Sequence, residues 1–295
     1  MNLSLAIDIG GTKIAYGLVD NSGIIKNEIQ KTKTPKTVDE IKNILENIIQ
    51  SYENEVDCIA IATAGAVNKE NSKVIGSTGN LAKGYRDIDF KNLSKKPVFV
   101  ENDANAAAWA EYRIGAAKDY NNSITLTLGT GVGAGIIIED KLFKGKSGAG
   151  PEVHFPMDRN QKRACTCGFY DCFEAYASGP GLQKTAAQIF NDSSITTYDI
   201  IQKASCNDPR ALEALEVWRN DIALGIVGLN NLFDTDCFVL SGSMEKFVDT
   251  EKIEEFVNKN TVTSKTRVFH AKLQNHAGLI GAALLAFDSS LFSLN

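Results

Sequence analysis

No Lys/Arg-rich run occurs anywhere in this sequence of 295 residues, and acidic residues outnumber basic ones, 36 to 31, for a formal net charge of −5. That balance argues against a general electrostatic attraction to nucleic acid. Long apolar stretches are missing too. The longest, near 277–287, is interrupted by glycines and is too short to span a bilayer. The N-terminus, MNLSLAIDIGGTK, has no basic segment followed by an apolar one, so a secretory signal is not expected. The expectation is a soluble cytoplasmic protein with neither a membrane nor a nucleic acid as partner. Six cysteines are too few for a disulfide scaffold. Cys58, Cys206 and Cys237 stand alone and read as inert thiols. No linker or low-complexity stretch divides the chain.

What is present is an ordinary globular mix, 43% hydrophobic and 23% charged. The length suits two domains at roughly 150 residues each. Residues 3–19 read as strand, Gly-Gly turn and strand, and a third strand is expected over 24–30. Apolar residues at 38, 41, 44, 45, 48 and 49 predict a helix over 38–52. Strands are expected over 57–62 and 97–100, with a helix over 104–112. From Ser123 the opening plan recurs, with T-L-G-T-G standing where D-I-G-G-T stood. Such a repeat suggests two domains of common design with equivalent turns facing one another. Helices are expected over 195–203, 209–233 and 277–287, and a strand over 237–240.

Four segments carry chemistry. In Asp8-Ile9-Gly10-Gly11-Thr12-Lys13, glycines between strands let backbone N–H groups approach an anion. Thr12 adds a hydroxyl, Lys13 a charge, and Asp8 a carboxylate able to hold Mg²⁺. The bland alternative is a plain hairpin, and no Walker A loop is present. Leu128–Gly135, with Thr130 and Gly131 at its turn, is either a glycine-rich bulge or a second phosphate turn clamping ATP against the first. At Glu101–Asn105 a strand gives way to a helix. Asn102 or Asp103 would cap that helix; alternatively Asp103 accepts a sugar hydroxyl proton while Asn102 hydrogen-bonds adjacent hydroxyls. Finally, Cys165-x-Cys167-x4-Cys172 follows His154 by eleven residues. Three thiolates and an imidazole suit a closed structural Zn²⁺ site. Chance clustering and a redox Cys-x-Cys pair are the rivals. His270 and His276 read as ordinary polar histidines.

Taken together, LAIDIGGTK, ENDANAAAWAE, LGTGVGAGII, His154 with CTCGFYDCFEAYASG, and HAGLIGAALLA resemble the ROK family of bacterial sugar kinases and related repressors. The resemblance covers nearly the whole chain. It implies an α/β, two-domain actin-like ATPase (ribonuclease H-like) fold with an interdomain cleft. The domains would span 1–118, completed by 277–295, and 119–276, the second carrying the zinc loop. The repressors' N-terminal helix-turn-helix is absent before the first phosphate motif, which points to the kinase branch. The resemblance implies ATP-dependent transfer to the 6-hydroxyl of a hexose, with glucose or N-acetylmannosamine the leading candidates. Asp103 would be the base. Gly79, Asn80, Asn102, Glu152, His154 and Glu174 would contact the sugar. Gly10, Gly11, Thr12, Lys13, Thr130 and Gly131 would meet the phosphates, and Gly242 the adenosine. A homodimer or homotetramer is implied.

Three positions depart from the family pattern. The usual Gly-Glu-x-Gly-His loop reads Pro151-Glu152-Val153-His154, one residue shorter between Glu and His. The glycine before the third cysteine is Asp171, and the adenosine-side Gly-Gly is Gly242-Ser243. A non-catalytic sugar and ATP sensor is the rival function, and a cytosolic metal or redox protein a weaker one.

Overall fold

Three parallel strands with their carboxyl ends in register form the centre of the first half of the chain. The computed structural model describes residues 2–76, 81–157 and 159–289. In chain order the elements are β1 (Leu3–Ile9), β2 (Lys13–Asp20), β3 (Gln30–Lys33), α1 (Val38–Tyr52), β4 (Cys58–Thr63), β5 (Ala66–Val67), β6 (Val74–Gly76), β7 (Val98–Asn102), α2 (Asp103–Ile114), β8 (Ser123–Leu128), β9 (Val132–Ile138) and β10 (Lys141–Leu142). There follow α3 (Glu174–Ala177), α4 (Gly179–Phe190), α5 (Thr197–Ser205), α6 (Pro209–Phe233), β11 (Cys237–Ser241), α7 (Thr250–Asn260), β12 (Arg267–His270) and α8 (Ala277–Asp288). The chain forms two compact units: Met1–Asp119 with Gly135–Pro151 and Lys272–Asn295, and Tyr120–Ala134 with Glu152–Ala271. A division at residue 118 alone does not describe them, since Gly135–Pro151 groups with the first unit.

The repeat seen in the sequence has a topological counterpart. One sheet runs β3-β2-β1-β4-β7 and the other β10-β9-β8-β11-β12. β1 pairs antiparallel with β2 and parallel with β4, which pairs parallel with β7. β11 likewise lies parallel to both β8 and β12. Parallel strands covered on both faces read as unbroken apolar runs, as β4 does. On one face of the first sheet Leu5, Ile7, Ile9, Ile59, Ile61, Val98 and Val100 pack with Ile41, Leu45 and Ile49 of α1. The other face carries Ala6, Ala60 and Ala62, whose small side chains admit Leu279, Ala282, Ala283 and Ala286 of α8. α8 also lies hard against α2: a Cβ on Gly281 would stand 1.7 Å from the Ala106 carbonyl oxygen.

The third strand begins at Gln30 rather than at Ile24. Residues 24–29 are occupied otherwise: Lys26 N–H donates to the Leu18 carbonyl, and Asn27 Oδ1 accepts from the Leu18 N–H at 2.7 Å. A polar side chain thus takes a ladder position and delays the strand. α4 and α7 were not foreseen. α4 starts with Gly179-Pro180-Gly181, which reads as a breaker, yet Ser178 caps it and Pro180 sits in its first turn, where a missing N–H costs nothing. α7 buries only Ile253 and Val257. No helix among the described residues is long and apolar enough to cross a membrane.

Candidate active site

In the first unit, β1 delivers Asp8 one residue before its end and the Gly10–Thr12 turn follows. The turn is closed by the Gly10 N–H donating to the Lys13 carbonyl at 3.0 Å. Thr34 braces it from outside: its hydroxyl donates to the Gly10 carbonyl at 2.6 Å, and its N–H to the Thr12 carbonyl at 3.1 Å. Gly11, Thr12 and Lys13 are exposed. Thr34 escaped the sequence reading because nothing in its own neighbourhood marks it; only the fold brings it to the turn.

At the end of β7, Asn102 caps α2. Its Oδ1 accepts from the Ala104 and Asn105 N–H groups, each at 3.0 Å. Its amide nitrogen donates to the Gly65 carbonyl at 3.1 Å and to Asp103 Oδ1 at 3.2 Å. The cap therefore falls to Asn102, and Asp103 becomes the first helical residue, half-buried, with Oδ1 also accepting from the Ala104 N–H at 2.9 Å. Of the two capping candidates the sequence offered, the helix uses Asn102 and leaves the Asp103 carboxylate one residue inside it. With its oxygen committed to the helix and its two amide hydrogens to Gly65 and Asp103, Asn102 can meet a hydroxyl only by exchanging one of these bonds.

Asp8 and Asp103 feel one another. Asp8 is raised from 3.8 to about 7, first by burial and then by the Asp103 charge, against a lowering influence from Lys13. The first turn of α8 approaches Asp8, a Cβ on Gly278 lying 3.4 Å from Asp8 Oδ2. Tyr85, 2% exposed, hydrogen-bonds Thr63 at 2.7 Å. Burial, and then the charges of Asp103 and Asp8, work to push its hydroxyl upward. Tyr85 is a neighbour of the carboxylates that sequence reasoning missed. Gly79 and Asn80 lie outside the described residues.

In the second unit, the turn between β8 and β9 holds Thr130, which is exposed, and Gly131. Gly179, the first residue of α4, donates its N–H to the Gly129 carbonyl at 2.8 Å. Gly242, at φ +90, presses so close that a Cβ would lie 2.4 Å from the Leu128 carbonyl oxygen. The Met244 N–H then donates to that oxygen at 3.0 Å. The glycine turn, the Gly242-Ser243 turn and the start of α4 therefore converge, and a helix N-terminus beside a glycine turn favours an anion.

Glu174 joins this turn to the cysteine loop. Its Oε2 accepts from the Val132 N–H at 3.1 Å, and its Oε1 from the Thr166 hydroxyl at 2.6 Å. A side chain on Gly131 would collide with it, the added Cβ lying 2.5 Å from Oε2. In the loop itself, donor atoms of His154, Cys165 and Cys167 all lie within 4.8 Å of one another. Cys172 is 3.5 Å from Cys167, sulfur to sulfur. The ring of His154 is polarised at both ends: Nδ1 is 3.3 Å from Cys165 Sγ, and Nε2 is 3.3 Å from Glu152 Oε2. Hydrogen bonding to Glu152 is the largest influence raising His154 to about 10. Val153 between them is buried, while the Glu152 and His154 side chains meet one another. His154, Cys165 and Cys167 thus sit at metal-binding range, and the Cys172 thiol beside Cys167 offers a fourth donor of the kind that zinc takes.

The Asp171 departure has a structural reason. Its φ is +56, in the left-handed region that favours glycine but that aspartate tolerates. Its carboxylate compensates by accepting from the Tyr176 hydroxyl at 2.6 Å and from the Lys162 and Arg163 N–H groups at 2.9 and 2.8 Å. His270 pairs with Glu245, apart from the cysteine cluster.

A model of the ROK family matches residues 4–289. The chain is 33% identical to a glucokinase of Streptomyces coelicolor, covering 97% of this chain and 98% of that one. It is 30% identical to an N-acetylmannosamine kinase of Salmonella heidelberg, over 98% and 99%. Among solved structures, a glucokinase of Streptomyces griseus in complex with glucose and AMPPNP matches at a TM-score of 0.83 with 33% identity, covering 98% of this chain and all of that one. A hexokinase of Thermus thermophilus matches at 0.80 with 27% identity, over 96% and 97%.

Proposed function

The chain belongs to the ROK family, with its actin-like ATPase fold, and from that premise we propose that it is an ATP-dependent hexose kinase whose general base is Asp103. The observation that carries this reading is the Asp8–Asp103 pair beside the Gly10–Thr12 turn. One carboxylate is suited to the metal of ATP·Mg²⁺ and the other to a hydroxyl proton. Gly10, Gly11, Thr12, Lys13, Thr130 and Gly131 serve the phosphates, and Gly242 the adenosine side. Asn102, Glu152, His154 and Glu174, with Gly79 and Asn80, serve the sugar. Asp103 takes the proton of the 6-hydroxyl as that oxygen attacks the γ-phosphorus and ADP leaves. Glucose and N-acetylmannosamine are the leading acceptors. Sugar-dependent release of ADP, with a sugar 6-phosphate as product, tests the assignment. ATP hydrolysis that no sugar accelerates would count against it.

Asp8 makes the stability of the nucleotide-free protein depend on pH. Its folded value, about 7, stands above its ordinary 3.8. Its favourable contribution is therefore complete below about pH 4 and is lost as pH rises toward 7. Asp8→Asn should gain stability over the parent across that window, reaching roughly 2–4 kcal/mol before levelling off. Thermal melts at several pH values check this; a difference that does not change with pH would contradict it.

We assign His154, Cys165, Cys167 and Cys172 to a structural Zn²⁺ that pins the loop carrying Glu152 and Glu174. His154 would ligate through Nδ1, and in the sugar-free protein Glu152 would accept the Nε2 proton and orient the ring, a proton that a bound sugar hydroxyl would then share. A bound dication reverses the preference for a protonated His154. Glu152→Ala should weaken zinc retention by about 10–100-fold in competition with a chromophoric chelator. Unchanged retention would remove Glu152 from this role.

A further inference from the structure

Glu101 is 1% exposed, and both its oxygens are committed. Oε1 accepts from the Asn102 N–H at 2.9 Å and from Asn105 Nδ2 at 3.2 Å. Oε2 accepts from Lys144 Nζ at 2.9 Å and from Asn71 Nδ2 at 2.7 Å. Lys144 reaches further, donating to Asn71 Oδ1 at 3.0 Å and to the Asn68 carbonyl at 3.5 Å. Asn71 closes the circuit on β7: its Nδ2 donates to the Val100 carbonyl at 2.7 Å, and its own carbonyl accepts from the Val100 N–H at 2.9 Å. The β5–β6 loop, the segment after β10 and the corner between β7 and α2 are thereby tied through one ion pair whose carboxylate is buried and whose lysine is 16% exposed. The Lys144 segment is held at a second point, since a Cβ on Gly148 would lie 2.3 Å from the Val67 carbonyl oxygen.

We propose that Glu101 and Lys144 are a positioning pair that sets the orientation of Asn102 and Asp103 for phosphoryl transfer. This rests on the kinase reading above. A largely buried ion pair is a poor way merely to fill space, because apolar residues of similar volume often stabilise as well or better. Its placement is also specific: the carboxylate grips the N–H of the capping residue and the side chain of Asn105 in the first turn of α2, the two points that fix the direction in which Asp103 leaves the helix. The pair touches no reacting atom; it acts through the corner it holds.

Lys144→Met should lower kcat by about 10–100-fold, the scale on which ångström-sized misplacement acts, while KM for ATP stays within about threefold. Lys144→Arg should recover most of the loss. Lys26→Met is the control: it strips the partner from Asp20, another carboxylate only 2% exposed, paired at 2.8 Å at the far end of β2 from Lys13. It should reduce thermal stability and leave kcat unchanged. If Lys144→Met does not fold, Glu101→Gln carries the test, keeping the side chain's shape while removing its charge, and a kcat loss of at least about fivefold is expected. A kcat within about twofold of the parent in folded Lys144→Met, or in Glu101→Gln where only that variant folds, overturns the proposal. So does an equal loss in Lys26→Met. Absence of sugar-dependent turnover in the parent would bring down the kinase reading first, and this pair's role with it.

Discussion

Asp103→Asn is expected to lower kcat by about 10²–10⁴-fold with little change in the sugar's KM, the range for loss of a positioned general base. The substitution keeps the side chain's shape, its Oδ1 acceptor for the Ala104 N–H, and its place as the first residue of α2 after the Asn102 cap. Folding should therefore be preserved, and the loss should appear in the chemical step. Removing the Asp103 charge also removes one of the influences that raise Asp8. Asp8 in the variant should consequently ionise at lower pH, so binding of ATP·Mg²⁺ should be kept or improved while turnover falls. A kcat within a few-fold of the parent would take the base role away from Asp103. A parallel loss of ATP affinity would instead mean that Asp103 is needed to build the nucleotide site.

Glu111→Ala is expected to be among the most destabilising single changes in the chain, yet to leave chemistry intact below its melting point. Glu111 is fully buried on α2. Its Oε2 accepts from the Ala116 N–H at 2.8 Å and the Lys272 N–H at 3.1 Å, and its Oε1 from the Leu273 N–H at 2.8 Å. One carboxylate therefore satisfies backbone donors both just after α2 and in the segment that leads to α8. Truncation leaves these N–H groups unpaired and opens a polar void. At about 1–3 kcal/mol for each buried group left without a partner, a loss of roughly 3–5 kcal/mol follows. For a chain of this size that corresponds to a melting temperature lower by about 10 °C. A change of only a degree or two would show that water replaces the carboxylate.

These two residues mark what the sequence disclosed and what it hid. Asp103 stood in a recognisable block, at a strand-to-helix corner where residue type and position suited a helix cap or a base, and it was the family resemblance that singled it out for chemistry. Glu111 stood in the same block without a reason, because its partners come from the far end of the chain. The same holds for Lys144, Thr34 and Tyr85, whose significance arises only when distant segments meet. Helices were legible: α1, read from its apolar period, and α6 begin and end at the expected residues. The duplicated sheet was foreshadowed by two glycine turns in similar contexts. α4 was missed because its Gly-Pro-Gly start is a helix beginning only when Ser178 is seen to cap it. β3 was placed too early because the Asn27 side chain substitutes for a strand partner, an arrangement with no periodic signature. Asp171 looked like a defect in the cysteine loop until its left-handed backbone and its three donors were visible.

The central claim is sugar kinase activity. Its most direct test is ADP release from ATP·Mg²⁺ by the purified protein, measured with glucose, mannose, fructose, allose, N-acetylglucosamine and N-acetylmannosamine in turn, with Asp103→Asn alongside. The account predicts that at least one of these sugars drives ADP release well above the sugar-free rate and that Asp103→Asn abolishes the increase. Binding of ATP and a sugar without any sugar-dependent turnover would contradict it and leave a sensor of the same fold in its place.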